Sequence, residues 1–408
     1  MGLRRIHIPQ LIILGAFLLG ACADKEGEFF EQVAQERNKI DFNVYTVGTK
    51  SGTGSGAKTR VDLDIYIDST HFKVGRKIGV FGFYHNNSTW KDMDSLQKPN
   101  FMFDVPVEKV SADTTAKWSY SPLRYWPNET GATAVTDDKG NTIYTTESEG
   151  IDRLSFFGYY PYSETGDGKY YGINFKISDT THVGLMGEWE FTQRQKAAEN
   201  VDFMMSELVP NLTKQSVNGQ VNLKFHHMLS QLWCTYKLSD SLAKNDGAWL
   251  TIDSIRLEGI HNHGYLFPEY TEVEMEGKKD SITLFNWKVD STSYLNFVAK
   301  DLEHLDSLDA LSRILLVVPQ EIPEDAQTRC WYTIHFPPDE DNPDGYAFSN
   351  NYVAYHLRGH KDKDGNEIDS WDMSKRYRYL VTVGLYEIKF TCEVIDWTDR
   401  TFDIIEIE

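Results

Sequence analysis

Strand-like runs of residues, alternately apolar and polar or continuously apolar and β-branched, recur along the whole chain, and this pattern constrains the fold more than any other feature. They cover residues 40–47, 61–67, 78–84, 154–160, 221–238, 249–257, 314–318, 331–336, 377–390 and 404–407. Turn residues punctuate them, and 138–141 (DKGN) and 363–366 (KDGN) read as hairpin tips, where Gly and Asn take positive φ at little cost. The period predicts an all-β fold with long loops. One helical run competes with it: Leu302, Leu305, Leu308 and Leu311 recur every three residues. Residues 210–219 carry neither period and read as a boundary between domains, for which 408 residues leave ample room. An aromatic share of 13% and a hydrophobic share of 40% exclude a disordered chain.

The first 22 residues read as an address. Arg4 and Arg5 precede an apolar run, and Gly20 and Ala21 stand before Cys22. As a helix, Leu11 to Ala21 would span about 16 Å, against a hydrocarbon core of about 30 Å, so the segment is a secretory signal rather than a membrane span. Its ending, Leu19-Gly20-Ala21-Cys22, resembles the bacterial lipobox, in which the cysteine is lipidated and the chain is cut before it; an ordinary signal that happens to contain a cysteine is the competing reading. Several acyl chains on Cys22 would anchor the protein stably, where one binds a membrane only marginally. Residues 22–39 then form a polar tether, and the acidic stretch after Cys22 resembles tags that place lipoproteins on the outer face of the outer membrane.

The charge narrows the partners. Lys and Arg total 41 against 61 acidic residues, a formal net charge of −20, and removing residues 1–21 takes away two arginines and no acid. A surface this acidic repels phosphate backbones, so nucleic acid is not expected as a partner. With Cys22 lipidated, Cys234, Cys330 and Cys392 remain, an odd number without CxxC spacing; Cys234 and Cys392 read as buried free thiols.

Candidate chemistry is sparse. The G-x-S-x-G, H-E-x-x-H, P-loop and dinucleotide-binding motifs do not occur, and no enzyme activity and no cofactor are expected. His261 and His263 share a strand face and could form half of a metal site, yet no third ligand follows from spacing, and a surface turn is favoured. His226 and His227 are adjacent, so their rings point to opposite faces and one belongs in the core or at a loop. The acidic stretches 339–345 and 362–365 lack the Gly and Glu positions of an EF-hand and read as solvated turns. Tyr159, Tyr160 and Tyr162 could stack on sugars, but core or edge packing is favoured.

Six segments in order carry a family resemblance: 118–127 (WSYSPLRYWP), 154–161 (LSFFGYYP), 201–205 (VDFMM), 221–230 (VNLKFHHMLS), 315–320 (LLVVPQ) and 379–397. Together with the lipobox they resemble the fimbrillins, the lipoprotein precursors of type V pili. The resemblance implies two tandem transthyretin-like β-sandwich domains, placed at 40–210 and 211–408. It also implies a structural function as stalk, tip or accessory subunit, at the cell surface and in the fimbria. In such precursors the first strand plugs a groove, a trypsin-like protease cuts the following loop, and a strand from the next subunit refills the groove. By position the plug here is residues 40–47, led by Ile40, Phe42 and Val44. The cut would follow Arg60, with Lys58, Lys50 and Arg37 as poorer candidates. The implied partners are other fimbrial subunits, the protease, the membrane through the lipid, and a host or bacterial surface ligand. The alternative is an uncleaved outer-membrane lipoprotein that acts as a fimbrial anchor or binds glycans.

Overall fold

The computed structural model describes residues 38–46, 72–85, 88–92, 99–111, 117–127, 133–136, 142–145, 152–163, 172–176, 187–194, 201–238, 247–275, 278–293, 295–299, 303–305, 311–362, 365–383 and 388–396. Nearly all of it is β. The first half contains β1 (Asp41–Thr46), β2 (Lys77–His85), β3 (Met102–Lys109), β4 (Trp118–Ser119), β5 (Thr133–Thr136), β6 (Thr142–Thr145), β7 (Arg153–Tyr160), β8 (Ile173–Lys176), β9 (Glu188–Thr192), β10 (Met204–Ser206), β11 (Val209–Leu212) and β12 (Gln220–His227). Eight of these form one sheet in the order β1-β12-β10-β7-β2-β3-β4, with β11 also on β7. Its pairings are antiparallel except β1 with β12.

The central strands β2 and β7 are buried on both faces because both faces are covered. Ile78, Val80, Leu154, Phe156 and Tyr160 face one core with Val221, Leu223 and Phe225 of β12. Phe81, Phe83, Phe157 and Tyr159 face the other, built with Trp189, Phe191, Phe203 and Leu266. Gly79 permits this packing: a Cβ there would lie 2.1 Å from Cε1 of Tyr159.

The second half contains β13 (Ser230–Leu238), β14 (Trp249–Ile260), β15 (His263–Met275), β16 (Lys278–Val289), β17 (Leu295–Ala299), β18 (Glu303–Leu305), β19 (Leu311–Val317), β20 (Gln320–Glu321), β21 (Gln327–Phe336), β22 (Tyr346–His356), β23 (His360–Lys361), β24 (Glu367–Ile368), β25 (Ser370–Trp371), β26 (Lys375–Val383) and β27 (Ile388–Asp396). The sheet β19-β13-β26-β27 packs on the sheet β17-β14-β21-β22, which also carries β18, as a sandwich. Leu232, Leu315, Tyr377, Tyr379 and Val381 meet Leu257, Tyr332, Ile334 and Val353 between them. The long hairpin β15–β16 leaves this sandwich and joins β9 and β8 of the first half in a four-stranded sheet.

Several expectations meet a different structure. The run 221–238 is two strands in two sheets: the chain leaves the first sheet at Met228 and Leu229, both fully buried, so an unbroken apolar run conceals the crossing. The boundary expected at 210 falls within β11, whose Pro210 is tolerated in a short, irregular strand off the main path. Strands on both sides of 210 share the first sheet, and the change of sheet comes at 228–229. The helical reading of the leucine repeat is corrected at its described positions; Leu302 and Leu308 lie outside the described residues. Glu303–Leu305 pairs with β14, and Leu311 begins β19, so tertiary pairing outweighs a three-residue repeat. The strands that flank each expected tip are paired, β5 with β6 and β23 with β24, while residues 138–141 and 363–364 lie outside the described residues. At the second, Gly365 has φ +85° and the Asn366 amide donates to Asp362.

Candidate functional site: the first strand and its groove

Residues 40–46 keep the alternation that the sequence shows. Ile40, Phe42 and Val44 are 0%, 2% and 8% exposed and enter the first-half core, while Asp41 and Tyr45 face solvent. The strand is at the edge of its sheet, where it runs parallel to β12 from Asp41 opposite Gln220 to Thr46 opposite Phe225. Phe42 sits edge-to-face between Tyr120, at 5.5 Å, and Phe156, at 5.7 Å. Asn43 donates through Nδ2 to Oδ1 of Asn222, its register partner, at 2.8 Å.

The start of the strand is held on its other side by the segment after β4. The Ile40 amide donates to the Arg124 carbonyl, and the Trp126 amide to the Asn38 carbonyl, each at 3.0 Å. Lys39 forms an isolated bridge with Tyr125. The Tyr120 hydroxyl donates to the Ile40 carbonyl at 2.9 Å. Burial pushes its pKa up to about 12, so it remains a donor throughout the physiological range. The Asp41 amide and the Trp126 indole both reach the Gly219 carbonyl, at 3.2 and 3.3 Å. The segment that follows β4, at one end of the sheet order, therefore meets the start of β1, at the other end, at residues 38–40.

The groove has walls that sequence reasoning did not assign: Tyr120 and Trp126 on one side, Gly219 and Asn222 on the other. The segment 118–127 was singled out by resemblance, but its contact with residue 40 is between positions 80 apart in sequence, and no local period encodes that. Cys22, Arg37, Lys50, Lys58 and Arg60 lie outside the described residues.

The remaining candidates are structural. His263 lies between Glu190, at 3.1 Å, and Asp290, at 3.3 Å, while His261 Nδ1 is 2.8 Å from the Ser293 carbonyl. Among the described residues no group of three His, Cys, Asp or Glu side chains could hold a metal ion. His227 is buried against Asp202 at 2.9 Å; His226, half-buried, lies 2.7 Å from Glu207. Burial lowers the His226 pKa, and Glu207 opposes the shift. Cys330 and Cys392 are buried and, among the described residues, form no disulfide. Asp339 accepts from the backbone of Asp341 and Asn342 in an exposed turn, and Asp362 holds the tip described above. Tyr159 and Tyr160 are buried, the first donating to Asp104 at 2.9 Å, so stacking of sugars on these two rings is excluded.

Comparison with known proteins fits this architecture. A fimbrial protein from Bacteroides vulgatus superposes with a TM-score of 0.50 at 15% identity, covering 88% of this chain and 99% of that one, which shows a shared fold. A putative cell adhesion protein from Bacteroides uniformis, at 13% identity, covers 88% of this chain and 98% of its own with a TM-score of 0.43. No curated protein matches the sequence. The sequence pattern described as "Fimbrillin-like" matches residues 59–397, most of the chain, and the protein belongs to that family.

Proposed function

We propose that the chain is a structural subunit of an adhesive fimbria, a stalk, tip or accessory component exported as a lipoprotein on Cys22. In this reading the strand at residues 40–47 is a removable plug. A trypsin-like protease cuts after Arg60, strand and lipid depart together, and a strand from another subunit enters the groove. One observation supports the reading above others: the first strand is an edge strand whose apolar side chains complete a core belonging to the rest of the sheet.

The energetics suit a removable element. Burying Ile40, Phe42, Val44 and one further side chain contributes roughly 6–12 kcal/mol, and each net backbone hydrogen bond about 0.5–1.5 kcal/mol. Ordering eight residues costs roughly 8–16 kcal/mol. The covalent tether, by raising the local concentration of the strand, tips this near-balance toward occupancy, and cutting the tether releases it.

N-terminal sequencing of protein sheared from cell-surface filaments tests the proposal. A start at Val61 is expected. Protein found solely in the membrane fraction, still lipidated at Cys22 and uncut, would refute strand exchange and leave the anchor reading.

A further inference from the structure

The outward face of β14, β21 and β22 departs from the polar surface that an exposed sheet face ordinarily presents. Along β21, Thr328, Cys330, Tyr332, Ile334 and Phe336 point into the core, so Arg329 and Trp331 point away from it. Tyr352 of the edge strand stands opposite Trp331, with ring centroids 6.2 Å apart and planes inclined by 36°. It is 59% exposed, the most open of the large hydrophobic side chains described. Arg256 of β14 places its guanidinium 4.6 Å from the Trp331 ring centre. Arg329 lies 5.7 Å from that ring and 5.4 Å from Tyr352.

The two arginines differ in commitment. Arg329 pairs with Glu258 at 3.4 Å. Arg256 is exposed, and the described residues offer it no carboxylate partner. A guanidinium stacked on an indole keeps its N–H edges free, and its planar fork matches a carboxylate or sulfate. Both rings sit on paired strands, which hold them at a fixed spacing and reduce the entropy lost on binding. In a chain of net charge −20 the general field repels anions, so an anionic ligand is retained here by local contacts.

We infer that Arg256, Arg329, Trp331 and Tyr352 form a binding face for an anionic saccharide, a glycan bearing uronate, sialate or sulfate groups. The aromatic rings take the apolar faces of the sugars, and Arg256 takes the acidic group. This inference is independent of strand exchange, which concerns the opposite half of the chain.

The test uses the full chain on an array carrying uronate-, sialate- and sulfate-containing oligosaccharides, their neutral counterparts and poly-glutamate, followed by titration of the best binder. Anionic glycans should bind at least about tenfold more tightly than neutral ones of the same length. Arg256→Ala should weaken binding about tenfold, Arg256→Lys less, and Tyr352→Ala by about three- to tenfold, with thermal midpoints unchanged. The inference is overturned if no anionic glycan binds, if neutral glycans bind equally, if poly-glutamate binds as tightly, or if Arg256→Ala binds as well as the parent.

Discussion

Among the described residues two pairs of strands distant in sequence run parallel, β1 with β12 and β13 with β26, and they are committed to the fold to different degrees. The strand β26 is interior: eight register pairs join it to β13, and nine more join its far side to β27. The strand β1 has six register pairs with β12 and forms an edge, gripped on its other side near residues 38–40. Both bury their inward apolar side chains. What distinguishes them is how much of the sheet depends on each. Losing β26 opens a ladder on two sides, whereas losing β1 exposes one groove. Burial alone therefore does not distinguish the two strands; their places in the sheet do.

The largest expected effect lies in the interior pair. Tyr379, fully buried, accepts a hydrogen bond from the Trp371 indole at 2.8 Å. Tyr379→Ala leaves a cavity and an unpaired buried donor, and should cost about 4–5 kcal/mol in denaturant unfolding. Tyr379→Phe, which keeps the ring and removes the hydroxyl, should cost about 1–3 kcal/mol. Phe42→Ala comes next, at about 3–5 kcal/mol, and its effect should be local. Hydrogen exchange in β1 should accelerate while β26 keeps its protection. Equal acceleration in both strands would erase the distinction between them.

Titration should separate the halves too. Burial raises the Asp104 pKa to about 6, against the opposing hydrogen bond from Tyr159. The folded state then binds this proton more tightly than the unfolded state, so the Asp104 contribution falls as pH rises from about 4 to 6. Asp104→Asn keeps an acceptor for Tyr159 and suits the backbone, whose φ is +47°. It should raise stability at pH 7.5 by about 1–3 kcal/mol, read from the denaturation midpoint. Burial, with help from Arg153, lowers the His85 pKa to about 4. Its contribution is therefore lost as pH falls from about 6.5 to 4, which opposes Asp104 over much of the same window. The Asp104→Asn variant should accordingly show a steeper acid loss than the parent, seen in exchange rates of the first sheet. The smallest effect belongs to Asn43→Ala: this exposed pair with Asn222 should contribute less than about 1 kcal/mol.

Local periods were legible in the sequence, and long-range partners were not. The alternation at Ile40, Phe42 and Val44 announced a half-buried strand, and the pairing of β5 with β6 and of β23 with β24 was readable from the Gly and Asn between them. Nothing local encoded β12 as the parallel partner of β1, because that pairing joins residues 41 and 220. The same reason hides Tyr120 and Trp126 as walls of the groove. The crossing at Met228 and Leu229 carries no Gly or Pro because it runs through a core and must itself be apolar. Leu305 looked helical because a three-residue leucine spacing satisfies that period, although the residue pairs with Leu250 in a sheet. The face around Trp331 escaped notice because a tryptophan within a strand reads as core until its register is known.

Displacement of the first strand by a peptide of the same sequence decides whether residues 40–47 can leave the folded body. Folded protein is cut at Arg60 with trypsin, then incubated with an isotope-labelled peptide of residues 38–47 and followed by intact-mass spectrometry and hydrogen exchange. Uncut protein should exclude the peptide, while cut protein should exchange its own segment for the label and keep the protection of β7 and β26. Unfolding of the body on cutting, or permanent retention of the original segment, would contradict strand exchange.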